Sequence, residues 1–155
     1  MSSSTTPMPM PKTERKSLDE LLRESRAGHP ARHVLNDEEH RIQCTCVRWF
    51  RLQYPRLHER LFAVPNGGGR SKTEAARLVG EGVMPGVSDL ILLKPNRQYG
   101  ALLIEMKTAS ASSRQSQRQI LWQKAVTADG EYRYVVCRSL DDFMREVKEY
   151  LTNVL

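Results

Sequence analysis

With 155 residues, 27% of them charged and a formal net charge of +6, the chain can bury one hydrophobic core and is too short for two. No apolar run approaches the roughly 18 residues of a membrane span, and Met1 to Thr6 lacks the charged and apolar regions of a signal peptide, so a soluble intracellular protein is expected. Cys44, Cys46 and Cys137 form neither a CxxC pair nor an even disulfide framework, which leaves them as free thiols.

Met1 to Ser17 is rich in Ser, Thr and Pro and has almost nothing apolar to bury; it reads as a disordered arm. A short helix over Leu18 to Ala27, capped by Ser17 and stopped by Gly28 and Pro30, completes an arm drawn over residues 1–32, with the folded domain over 33–155. Asn36 is the candidate N-cap of the first long helix, with Asp37, Glu38 and Glu39 in its first turn, where the helix dipole favours negative charge. Ile42, Cys46, Trp49 and Phe50 recur at helical spacing until Pro55 ends the element.

Leu61 to Val64 reads as a short buried strand, followed by a loop from Pro65 to Arg70 that carries three consecutive glycines. Thr73 to Glu81 forms a second helix closed by Gly82, and Met84-Pro85-Gly86-Val87 turns the chain into a strand from Ser88 to Leu93. Pro95-Asn96 opens a hairpin-like connection, so Ala101 to Met106 pairs back antiparallel. Ser113 or Ser116 caps the next helix, which contains Gln119 and Trp122 and runs to about Ala128. Tyr132 to Cys137 is a third core strand and Leu140 to about Asn153 a closing amphipathic helix. This order predicts one α/β domain, a central mixed β-sheet flanked by helices.

The residues with chemical potential concentrate between Gly82 and Trp122. Glu105 and Lys107 are two apart on a strand, so both project from one face about 6.6 Å apart while Met106 faces the core. An isolated E-x-K is an ordinary surface ion pair worth about 0–1 kcal/mol. Asp89 changes the reading, because it opens an apolar strand where an unpaired carboxylate is costly, and the hairpin brings it to the same edge as Glu105. Two converging carboxylates suit a hard divalent cation such as Mg²⁺, and a neighbouring lysine can neutralise charge developing on a phosphate.

Basic residues surround this acidic pair. Seven Lys/Arg stand between Arg48 and Arg77 against the acids Glu59 and Glu74, and four stand between Lys107 and Lys124 against none. Either run alone reads equally well as a solvated face; together, flanking acids, they suit nucleic-acid phosphates. The glycine loop beside Arg70 and Lys72 could bring side-chain-free amides close to a phosphate. Trp49 and Trp122 read as core residues at helical spacing, and His29, His33, His40 and His58 have no ligand spacing.

Asp89 with Glu105-x-Lys107 resembles the signature of the PD-(D/E)XK nuclease superfamily, and the wider pattern is similar to its virus-type replication-repair nuclease (VRR-NUC) family, stand-alone type. The matching pieces are Glu39 to Gln43, Val64 to Arg70, Gly82 to Leu90, Ile104 to Lys107, and Ser116-x-x-Gln119-x-x-Trp122. Ser88 departs from the proline of the superfamily name, at a position that shapes the turn and not the chemistry.

The resemblance implies a restriction-endonuclease-like core. It also implies a Mg²⁺- or Mn²⁺-dependent structure-specific DNA endonuclease that resolves four-way (Holliday) junctions as a homodimer; flap cleavage in replication and repair, or a catalytically inactive DNA-binding subunit, are the alternatives. Residue by residue it implies Asp89, Glu105 and Glu39 as metal ligands, Lys107 as the assistant of the nucleophile, and Gln119 as the supporting helix glutamine, with Gln117 or Gln115 as alternatives. Branched DNA is the implied partner, with contacts from Asn66, Gly67, Gly68, Arg70, Lys72, Arg114 and Arg118.

Overall fold

The computed structural model describes residues 31–65 and 71–153. Contacts divide the chain into Met1–Val34 and Leu35–Leu155, and the sheet with its packed helices belongs to the second unit. The helix expected over Leu18 to Ala27, and the arm before Ala31, lie outside the described residues.

A four-stranded sheet in the order β1-β2-β3-β4 forms the centre: β1 (Leu61–Ala63), β2 (Leu90–Leu92), β3 (Ala101–Met106) and β4 (Tyr132–Cys137). The first three pair antiparallel, as the short β2–β3 connection requires. β4 pairs with β3 in parallel, which needs a crossover, and the helix α3 (Gln117–Thr127) supplies it. All six residues of β3 are buried, as befits a central strand with neighbours on both edges.

Pleat alternation gives the sheet two unlike faces. Leu61, Leu90, Leu92, Leu102, Ile104, Met106 and Cys137 share a core with Cys46 and Phe50 of α1 (Ala31–Gln53) and with Phe143, Val147 and Tyr150 of α4 (Leu140–Thr152). Phe62, Ile91, Leu103, Glu105 and Tyr134 stand on the other face, where Trp122 of α3 meets the Tyr134 ring at 6.1 Å between centroids. Trp49 packs edge-on against Phe143, at 6.0 Å. The apolar face anchors the fold and the opposite face is free to carry polar groups.

Element ends show where local rules applied. Ser71, Ser116 and Ser139 each accept a bond from the backbone N–H three residues on, capping α2 (Lys72–Gly80), α3 and α4; such a cap contributes about 1 kcal/mol. Of the two serines weighed for α3, Ser116 is the cap, completed by Gln119 as a capping box.

Several expectations needed correction. α1 runs from Ala31 straight through Asn36, so Asp37 to Glu39 lie inside the helix and not in its first turn. The stretch between Pro30 and Asn36 contains no helix breaker and propagates the helix. Pro55–Arg60 forms a 3₁₀-helix, β1 is an edge strand in which only Leu61 is buried, and β2 begins one residue after Asp89. The chain reaches β2 through Gly86, whose φ of +92° is left-handed; a Cβ there would lie 2.6 Å from the Arg118 carbonyl oxygen. Glycine thus lets the turn before Asp89 rest against the first turn of α3.

Candidate active site

Extending the Leu90–Ile104 pairing by one residue puts Asp89 across from Glu105 on the same sheet face. Like charges directly opposed on adjacent strands destabilise a sheet. The site accommodates them with local donors: Asp89 Oδ2 accepts the Met106 N–H at 2.7 Å, and Glu105 Oε1 accepts the Lys107 ammonium at 2.7 Å. Glu105 is fully buried, Lys107 nearly so. Burial, then the Asp89 charge, push the Glu105 carboxyl up to about 7, against the pull of Lys107 and Tyr134. Burial likewise raises Asp89, while the Met106 N–H and Lys107 oppose the shift and Glu39 adds to it.

A second layer holds Glu105 in one orientation. Gln119 Nε2 donates to Glu105 Oε1 in a short contact, and its own Oε1 accepts the Ser116 N–H of the capping box at 2.7 Å. The Tyr134 hydroxyl donates to Glu105 Oε2 at 3.2 Å and is itself held by Gln115 Nε2 at 3.2 Å, which also donates to Gln123 Oε1. Of the three candidate glutamines, Gln119 touches Glu105, Gln115 acts one step removed, and Gln117 is exposed at the first position of α3.

Glu39 enters from α1. Its Oε1 accepts the Ser113 hydroxyl at 3.0 Å and lies 3.9 Å from Lys107 Nζ, so Lys107 stands between Glu39 and Glu105. Among the described residues no three His, Cys, Asp or Glu side chains are grouped closely enough to hold a metal ion as they stand. The acids brought together are the Asp89–Glu105 pair, with Glu39 on the far side of the ammonium. Two carboxylates opposed on adjacent strands suit a cation such as Mg²⁺, which takes one or two protein carboxylates and keeps several waters.

The expected DNA contacts divide. Lys72 is exposed at the first position of α2, Arg118 exposed on the first turn of α3, and Arg114 exposed with its Nε on the Ala111 carbonyl at 3.3 Å. Asn66, Gly67, Gly68 and Arg70 lie outside the described residues.

Tyr134, Ser113 and Arg138 bear on the site and were not singled out as site residues by sequence. Tyr134 had a usable signal, since it pairs with Leu103 and so shares the face of Glu105. Ser113 carries the local signal of a helix cap, and nothing in the local pattern ties it to a residue 74 positions earlier.

A mixed sheet presenting opposed acids and an E-x-K pair at one end of its two central strands, backed by a helix glutamine, is the arrangement of a PD-(D/E)XK-type nuclease. Residues 31–141 match the family model described as VRR-NUC domain, and the chain belongs to that family. A solved structure described as a VRR_NUC domain protein is similar at a TM-score of 0.63 and 24% identity, over 75% of this chain and 89% of that one; it bears on the fold alone. Comparison with curated proteins gives no match.

Proposed function

We propose that the protein is a Mg²⁺- or Mn²⁺-dependent endodeoxyribonuclease that cuts branched DNA, with the four-way junction as substrate and a homodimer as the working form. The observation that carries this reading is the opposed Asp89–Glu105 pair with Lys107 on Glu105. Setting a half-buried carboxylate against a fully buried one is costly unless a ligand needs them. Membership in a nuclease family supplies the reaction class, and the exposed Lys72, Arg114 and Arg118 supply cations for a phosphate backbone.

Asp89 and Glu105 would hold the cation, with Glu39 as the further acid. When bound, the cation supplies Lewis-acid stabilisation of the phosphoryl oxygens and a lowered pKa for attacking water. Gln119 and Tyr134 fix the Glu105 carboxylate from opposite oxygens, so its orientation needs no reorganisation when substrate arrives. Lys107, an ammonium already desolvated beside Glu105, is the donor nearest to any negative charge developing there. A two-fold dimer would offer two such sites to the symmetric strands of a junction.

The test is cleavage of labelled junction, flap and linear duplex with and without Mg²⁺ or Mn²⁺. Asp89→Asn and Lys107→Ala are each expected to lower the rate by at least about 10²-fold, the size of a lost electrostatic stabiliser. Wild type that leaves every substrate intact sinks the nuclease reading; cleavage of flaps but not junctions sinks only the substrate.

A further inference from the structure

The loop between Lys107 and α3 is closed at its neck by a single guanidinium. Arg138 Nη1 donates to the carbonyl of Thr108 at 2.7 Å and to that of Ser113 at 2.9 Å. The Ser113 hydroxyl accepts the Thr108 N–H at 3.1 Å, completing the clasp from the other side. Thr108 is fully buried and Ser113 is 9% exposed, so the clasp works away from water, where hydrogen bonds to charged groups are strong. The Arg138 backbone is held in turn, its amide N–H donating to Asp142 Oδ2 at 3.0 Å at the start of α4.

The clasp delivers one group. With its acceptor side on Thr108, the Ser113 hydroxyl points its proton at Glu39 Oε1, 3.0 Å away, the same oxygen that lies 3.9 Å from Lys107 Nζ. Without Ser113, the one polar side chain besides Lys107 that meets this carboxylate among the described residues is lost, and a half-buried glutamate on a helix has several rotamers open to it.

We infer that Ser113 and Arg138 are positioning residues: Arg138 clasps the 108–113 loop so that Ser113 fixes the Glu39 carboxylate beside Lys107, and this sets the affinity of the acidic site for a divalent cation. The inference rests on the cation site proposed above, and on the nuclease reading only for its cleavage arm.

Its test is Mn²⁺ titration by calorimetry on the full chain without DNA, alongside metal-dependent cleavage of whichever DNA the wild type cuts. Ser113→Ala is expected to weaken Mn²⁺ binding roughly 10–100-fold, as outer-shell losses do, and to raise the Mn²⁺ needed for half-maximal cleavage by the same factor. Ser113→Thr keeps the hydroxyl and is expected to restore both. Adding Glu39→Gln to Ser113→Ala should cost no more than Glu39→Gln alone, because the serine acts through the glutamate.

Arg138→Lys shortens the side chain and loses the planar Nη1 that donates to both carbonyls, and should show the Ser113→Ala phenotype in milder form. Should Ser113→Ala fail to fold, Ser113→Cys, of similar volume with a weaker donor, takes its place. Wild-type Mn²⁺ affinity in Ser113→Ala, or losses that multiply with Glu39→Gln, would overturn the inference. So would a wild type that takes no Mn²⁺. Wild type that binds Mn²⁺ with the expected variant pattern yet cuts no DNA supports the inference and removes the nuclease reading instead.

Discussion

Glu105 is the residue on which opposing forces meet. Its carboxyl is pushed up to about 7 from an ordinary 4.5 by burial and by Asp89, although Lys107, Gln119 and Tyr134 all hold the charged form. A carboxyl with a raised folded value binds its proton more tightly when folded, so between about 4.5 and 7 the native state carries more protons than the unfolded one. Stability from this group is therefore complete below 4.5 and is lost as the pH rises through 7; Asp89 acts in the same direction. In EDTA, the urea midpoint should fall from pH 5 to pH 8, and Glu105→Gln should flatten that slope. Divalent cation should reverse the trend, stabilising by about 2.7 kcal/mol at a hundred times its dissociation constant and far more at pH 8 than at pH 5. A midpoint independent of pH across this window would show that the acid pair carries no such tension.

Among the elements, the turn from Met84 to Val87 is constrained twice over. It must deliver Asp89 to the edge of β2 and also lie against α3, and Gly86 satisfies both by a left-handed φ and the absence of a Cβ. Gly86→Ala meets the Arg118 carbonyl at 2.6 Å and strains the backbone as well, a combination expected to cost about 1–3 kcal/mol. Because α3 also carries Gln119, cleavage or Mn²⁺ affinity should fall beyond what the lost stability explains. Gly82, also left-handed but with open space around it, is the control: its substitution is strained without pressing on α3. Equal effects at the two glycines on Mn²⁺ affinity would show that the packing of the turn on α3 does not matter to the site.

At the scale of the whole molecule, the +6 charge is directed by where the cations sit. Arg133 is spent on Glu146 and Glu149, and Arg145 on Asp142 and Glu146, all on the α4 side of the molecule. Lys72 is exposed at the start of α2, Arg118 in the first turn of α3 one residue before Gln119, and Arg114 in the loop one residue after Ser113. DNA affinity measured from 50 to 200 mM salt should fall log-linearly, and replacing these three by alanine should reduce the slope by about 3, near 0.9 per phosphate contact. An unchanged slope would remove these residues from the interface.

What could be read in the sequence and what could not divide along one line. The apolar alternation of β2 and β3, the breaker residues between them and the E-x-K spacing are local, so the hairpin, the shared face of Glu105 and Lys107, and the convergence of Asp89 followed from strand geometry alone. The start of α1 is hidden in the sequence because the acids from Asp37 to Glu39 resemble a first turn, and propagation from Ala31 outweighs that local signal. The contact of Gln119, and not Gln115 or Gln117, with Glu105, the grip of Tyr134 on Glu105, and the path from Arg138 through Ser113 to Glu39 are visible only in the tertiary structure. These contacts join residues far apart in the chain through polar side chains, which follow no periodicity, and only the packing of α1, α3 and β4 around one buried carboxylate brings them within hydrogen-bonding reach.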